Sequence, residues 1–234
     1  MTNHKKEYGS TTLFCFSPAA MLVTLIIEVV FAFYILFRYK LTSAHRLVVS
    51  ILFFLAIFQG VEYLVCATEA TAPWPQIGFI AITLLPPLGL HLVYHLLGKR
   101  PPLYFFYGLA TVLSLALTFI PEIIVSPFCT NSYAIFQLSQ PMATLYFVYY
   151  FALLLWGLGE IVDSIVEHRA NKKKRTMLLL IGVGYLSFML PMGVLSLLLA
   201  ETREAIPSIM CGFAIVFAFV LTFGVAPLLS KSEK

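Results

Sequence analysis

Apolar residues fall along this chain in seven long blocks, at 18–38, 47–66, 76–98, 103–125, 141–166, 177–200 and 206–229, each closed by a short polar or Pro/Gly-containing break. At 1.5 Å of rise per residue, about 20 apolar residues in a helix cross the hydrocarbon core of a bilayer. Short breaks make consecutive helices antiparallel neighbours. The exception is the connection after the fourth block, 126–140, SPFCTNSYAIFQLSQ. The pattern predicts an all-α polytopic membrane bundle of seven transmembrane helices. Residues 1–17 form an extracytoplasmic segment, 18–229 the membrane domain and 230–234 a cytoplasmic tail. The first block is longer than the apolar region of a cleaved signal peptide, so it is expected to be retained.

Three blocks carry proline in their interior: Pro86 and Pro87 in the third, Pro191 in the sixth. A helical proline lacks an N–H and crowds the turn before it, so kinks are expected there. The carbonyls this frees must be satisfied by neighbouring helices or water, which places the third block inside the bundle. Gly182, Gly184 and Gly193 are expected to let helices approach closely.

Basic residues set the orientation, because Lys and Arg concentrate in cytoplasmic loops. Arg38, Lys40, Arg46, Lys99, Arg100, Arg169, Lys172, Lys173, Lys174, Arg175, Lys231 and Lys234 lie on one side, and only Lys5, Lys6 and Arg203 on the other. The N-terminus is expected outside and the C-terminus inside. Composition agrees with a lipid-facing chain: 60% of the 234 residues are hydrophobic and 11% charged, with mean hydropathy +0.93. The net charge of +4 sits in short loops, where lipid headgroups rather than nucleic acid are the nearest partner.

Polar residues inside the blocks are expensive and carry the functional expectation. Glu28 lies ten residues into the first block, about 15 Å deep. Gln59 and Glu62, at i and i+3, share one face of the second. These three predict an outward-open polar pocket framed by spans one to three, for a cation or a polar ligand head; neutral glutamates serving only as hydrogen-bond donors would look the same. A second group lies toward the cytoplasm. His91 and His95 are one turn apart on the third block, and Glu160 and Asp163 stand at comparable depth on the fifth, a donor set that suits a divalent metal. It lacks the glutamate of HExxH, and an interfacial role fits these residues too.

No nucleophile elbow, phosphate-binding glycine loop or CxxC pair is present, and the seventh block has no lysine to bind retinal. Cys15, Cys66, Cys129 and Cys211 all map to the outer half or outer loops, the side on which disulfides form. Cys66 with Cys129 is the expected pair, with Cys15 the main competitor.

Two patterns resemble known families. The run FFLAIFQGVEYLVC, then PWPQIGFIAITLLPPLGLHLVYHLLGKR with Trp74 opening the span and Pro86 breaking it, resembles the N-terminal seven-helix region of some bacterial histidine kinases and diguanylate cyclases. Separately, FCFSPAA (14–20) and FQGVEYLV (58–65) are similar to an uncharacterised bacterial membrane family with a Cys-Phe-Ser signature and a Phe-x-Gln-x-x-Glu segment. Cys15, Phe16, Ser17, Gln59 and Glu62 are the matching positions. The first resemblance implies a sensory module of a bacterial cytoplasmic membrane. No dimerisation helix, ATP-binding domain or cyclase module follows within the 234 residues, so output is expected through a separate protein. Two other readings stay open: a small metal-dependent membrane enzyme using His91 and His95, and an ion-coupled transporter using Glu28 and Glu62.

Overall fold

The computed structural model describes residues 18–68, 73–120, 122–125, 128–129, 134–167, 171–198 and 206–230, with backbone alone at 128–129, 134–135, 196–197, 206–208 and 211. The chain is a helical membrane bundle. Its helices are α1 (Pro18–Arg38), α2 (Ser43–Thr68), α3 (Trp74–Leu97), α4 (Leu103–Phe119), α5 (Met142–Glu167), α6 (Lys172–Leu198) and α7 (Ile206–Phe219). After α7 comes a π-helical segment, Val220–Val225, and then α8 (Ala226–Ser230). Among the described residues, six helical rods are long and apolar enough to cross a membrane; α4 is a shorter apolar helix.

The helix boundaries have local causes. Gly98 adopts the left-handed conformation at φ 70°, and its N–H and that of Lys99 donate to the carbonyls of His95 and Tyr94. This paired cap ends α3 where the sequence places a glycine that bears the conformation without strain. α4 stops at Phe119, short of the 125 expected from hydropathy. Ile120 precedes Pro121 and is extended, φ −105° and ψ 100°, as a following proline ring demands. Beyond it, Ile124 bridges Leu138, and Phe128–Cys129 pairs antiparallel with Ala134–Ile135, so the long connection carries a small ladder. α3 and α6 run on through Pro86, Pro87 and Pro191 as single helices.

Most of α2 and α3 is buried, against less than half of each other spanning helix. These two form the centre, with α1, α5, α6 and α7 presenting apolar faces outward. α4 buries only the stripe Phe106, Ala110, Leu113 and Leu117; the first three cluster with Leu90 and Tyr94 of α3 and Tyr149 and Leu153 of α5, while Leu117 joins the main core. α3 and α5 run parallel. Their hydrogen bonds step down both helices in the same order, from Thr83 with Tyr149 to Tyr94 with Glu160.

Small residues set two close approaches. A Cβ on Gly184 would meet the ring of Phe217, and one on Gly89 the hydroxyl of Tyr185. Gly182 faces Ile161 at ordinary contact, whereas none of the described residues lies against Gly193.

Candidate functional site

Glu28 sits halfway along α1 and is fully buried. Neither of its carboxyl oxygens has a hydrogen-bond partner among the described residues. Across the interface, Glu62 of α2 lies within electrostatic range of it. Glu62 and Gln59 are 1% and 2% exposed, so the depth and face read from the sequence do bring the two acids together. The site is sealed, however, where an outward-open pocket was expected. On one side of Glu28, the Leu25 side chain lies over Gly60, 3.8 Å from where a Cβ on that glycine would stand. On the other, Phe31 meets Phe219 and Phe223 edge-on, at centroid distances of 4.7 and 5.1 Å. Phe223 belongs to the π-helical segment, so an irregular stretch of backbone packs one turn from Glu28. Such segments recur at functional positions because they widen a helix locally.

The inner-end residues form a different arrangement from the metal set expected. His91 Nδ1 is 3.1 Å from the Tyr107 hydroxyl, and His95 is exposed. Glu160 turns to other partners. It accepts from the Tyr94 hydroxyl and from Lys99 Nζ, both at 3.0 Å, while the Trp156 indole N–H donates to the Tyr94 oxygen at 3.0 Å. Asp163 is exposed. Among the described residues, no three His, Cys, Asp or Glu side chains gather closely enough to hold a metal ion. The hydrogen bond to Glu160 keeps the Lys99 ammonium above the ordinary lysine range, because the neighbouring carboxylate favours the charged form.

His45 was not singled out by the sequence, since it stands at the start of the second block among ordinary interfacial residues. It is fully buried. Nε2 lies 3.2 Å from the Ala226 carbonyl, and a carbonyl only accepts, so Nε2 carries a proton. Nδ1 is 2.9 Å from the Thr42 hydroxyl, and the same hydroxyl lies at 3.4 Å from the His45 N–H as the cap of α2. The ring stacks on Tyr39 at 5.5 Å. His45 therefore ties the start of α2 to α8. The available signal was Thr-x-x-His at a helix start.

Cys66 is disulfide-bonded. Cys15 and the side chains of Cys129 and Cys211 lie outside the described residues. The strand holding Cys129 packs against α2.

Fold and site together define a polytopic helical membrane protein with an acidic pair sealed between two of its helices. No protein-family model matches the chain and no curated protein matches it.

Proposed function

We propose that the chain is a seven-span protein of the bacterial cytoplasmic membrane, a non-enzymatic sensory or ligand-binding module whose responding element is the Glu28–Glu62 pair. The observation that carries this is the Glu28 carboxyl, fully buried and unpartnered, beside a second carboxyl. Carboxylates in an apolar interior repel, and a cation or a proton between them offsets the repulsion. Arrival or loss of that charge would alter how α1 packs on α2. The resemblance to kinase sensor regions supports the sensory reading.

The parallel course of α3 and α5 supports seven crossings, because α4 would then return between them. Its 17 residues span about 25 Å, and the extended Ile120 adds reach. With the basic loops inside, the N-terminus is outside and the C-terminus inside. Alkaline phosphatase fused after Lys234 should be inactive and a fluorescent protein there bright; the reverse would invert the orientation.

The test of function is Glu62→Gln, alongside Glu28→Gln. Amides keep the volume of a neutral acid and cannot carry its charge. Both variants should insert, and the dependence of wild-type thermal stability on pH and on added Na⁺, K⁺ or Mg²⁺ should be lost in Glu62→Gln. An unchanged dependence would remove the pair from the mechanism. The π-helical segment against Phe31 favours a second reading, an ion-coupled carrier using the same pair. Cation flux into protein-loaded vesicles, absent in Glu62→Gln, would decide for it.

A further inference from the structure

Glu28 stands ten residues after the start of α1 at Pro18 and ten before its end at Arg38. Neither of its carboxyl oxygens leaves room for a water molecule against it, and neither has a hydrogen-bond partner among the described residues. The elements packed on α1 are α2, α7 and the π-helical segment. From α2 the acid that faces Glu28 is Glu62, which has a further interaction of its own. The other titratable side chains of α2 are His45 and Arg46 at its start, Tyr63, and the disulfide-bonded Cys66. Between 206 and 230 the sequence has no Asp, Glu, His, Lys, Arg or Tyr, and the side chain of Cys211 lies outside the described residues. α1 itself adds Tyr34 and Arg38, both toward its end.

These surroundings choose between the charges that could settle on the pair. Mg²⁺ and Ca²⁺ take about six to eight oxygen ligands, and Mg²⁺ keeps several of them as water. Glu28 and Glu62 fall short of that number even with Gln59, and no water fits against Glu28. A proton needs one oxygen and no added space. Ionised in this packing, Glu28 would be a bare charge among apolar side chains, which costs far more than a neutral carboxyl lacking one hydrogen bond. We infer that the ligand of the acidic pair is a proton, carried by Glu28 while α1 is packed as in this structure, and that its loss opens the packing of α1 on α2 and α7 to water. This rests on the reading of the pair as the responding element. The Glu28 O–H bond breaks with its electron pair left on the carboxylate, and the proton passes to an entering water or hydroxide. The new charge then takes up hydration that separation of Phe31 from Phe219 and Phe223, or of Leu25 from Gly60, admits.

Infrared spectra of the full-length protein in phosphatidylcholine vesicles test this, because the C=O of a carboxylic acid absorbs where neither carboxylate nor amide does. The wild type should show an acid band at neutral pH that Na⁺, K⁺ and Mg²⁺ leave unchanged. The band should be lost in Glu28→Gln and kept in Glu122→Gln, whose parent acid is exposed. Raising the pH should remove it from the wild type. Over the same range amide exchange across residues 25–32, corrected for base catalysis, should quicken at least about tenfold in the wild type and stay level in Glu28→Gln. Should Glu28→Gln insert poorly, the wild-type band and exchange, followed together against pH, decide alone. No acid band at neutral pH, a band that Na⁺, K⁺ or Mg²⁺ abolishes, a band that survives Glu28→Gln, or loss of the band without faster exchange would each overturn the inference. If instead band and exchange behave as expected while Glu62→Gln keeps the wild-type dependence of stability on pH, the proton on Glu28 stands and the pair is removed as the responding element.

Discussion

Tyr149 of α5 donates its hydroxyl to the Thr83 carbonyl of α3 at 2.7 Å, and Thr83 is the residue whose intrahelical partner would be the N–H that Pro87 lacks. The proline removes a hydrogen bond within one helix and the neighbouring helix replaces it. Tyr146 adds a contact with the Thr83 hydroxyl at 3.0 Å. The proline pair thus fixes which helix must lie beside α3, and in which register.

Tyr149→Phe should destabilise the protein by about 1–2 kcal/mol. Side-chain hydrogen bonds between membrane helices average about 0.6 kcal/mol, because groups released in the bilayer find other partners. The Thr83 carbonyl lacks that escape, and an orphaned buried acceptor costs more. Reversible unfolding in mixed micelles measures the loss. In a Pro87→Ala background the helix regains its own donor, so Tyr149→Phe should then cost little; equal losses in both backgrounds would show that the hydroxyl serves something else.

Gly184→Ala should destabilise by about 1–3 kcal/mol, the usual cost of overpacking, because the new methyl meets the Phe217 ring. That ring is buried and hemmed in by Tyr185 and Phe188. Phe217→Leu should recover part of the loss in the double variant. Gly193→Ala, where none of the described residues stands within 4 Å of the new methyl, should be neutral or mildly stabilising.

The Lys99–Glu160 pair gives a pH dependence with a defined sign. A lysine whose folded pKa is raised contributes stability that is whole below its unfolded value and vanishes as pH climbs through the folded one. The gap between wild type and Lys99→Met should therefore hold at neutral pH and close in strongly alkaline buffer. With Lys99 44% exposed, solvent screening limits the gap to at most about 1 kcal/mol. Denaturation of both proteins across the alkaline range checks it, and a gap that widens with pH would be the wrong sign.

Cys66 should be found joined to Cys129. The strand carrying Cys129 lies against α2, and closing a loop of roughly 60 residues is worth about 4 kcal/mol in the chain-entropy picture. Mass spectrometry of unreduced peptides identifies the partner directly. Cys66→Ser and Cys129→Ser should lower stability equally, and their combination should add nothing further; a peptide joining Cys66 to Cys15 or Cys211 would replace the assignment.

The spans were legible because run length alone decides what a bilayer accepts, and α1 begins and ends where hydropathy puts it. α4 was misjudged at its far end even though Pro121 was in view, because the hydropathic run continues through Ile123 and Val125 while the backbone does not. The meeting of Glu28 with Glu62 could be read from depth and face. Their closure from solvent could not, since it depends on Phe31 meeting Phe219 and Phe223, about 190 residues away along the chain. The donor set His91, His95, Glu160 and Asp163 failed to gather for a related reason. Equal depth says nothing of rotation about the helix axis, and Glu160 is turned to Tyr94 and Lys99.

The π-helical turn at Val220–Val225 closes on a bond from the Ala226 N–H to the Leu221 carbonyl, five residues back, just ahead of Pro227. Such a turn takes one residue more than the α-helix around it into about the same sweep of angle, so it absorbs an extra residue without turning the segment beyond it. Deleting one residue there should let the helix wind regularly while Ala226 keeps its carbonyl on the imidazole of His45. Deleting one from the regular part of the rod, Ala218, should instead swing the terminal segment by about 100° and take that carbonyl away. The wide turn thus holds the last turn of the protein in phase with the start of α2.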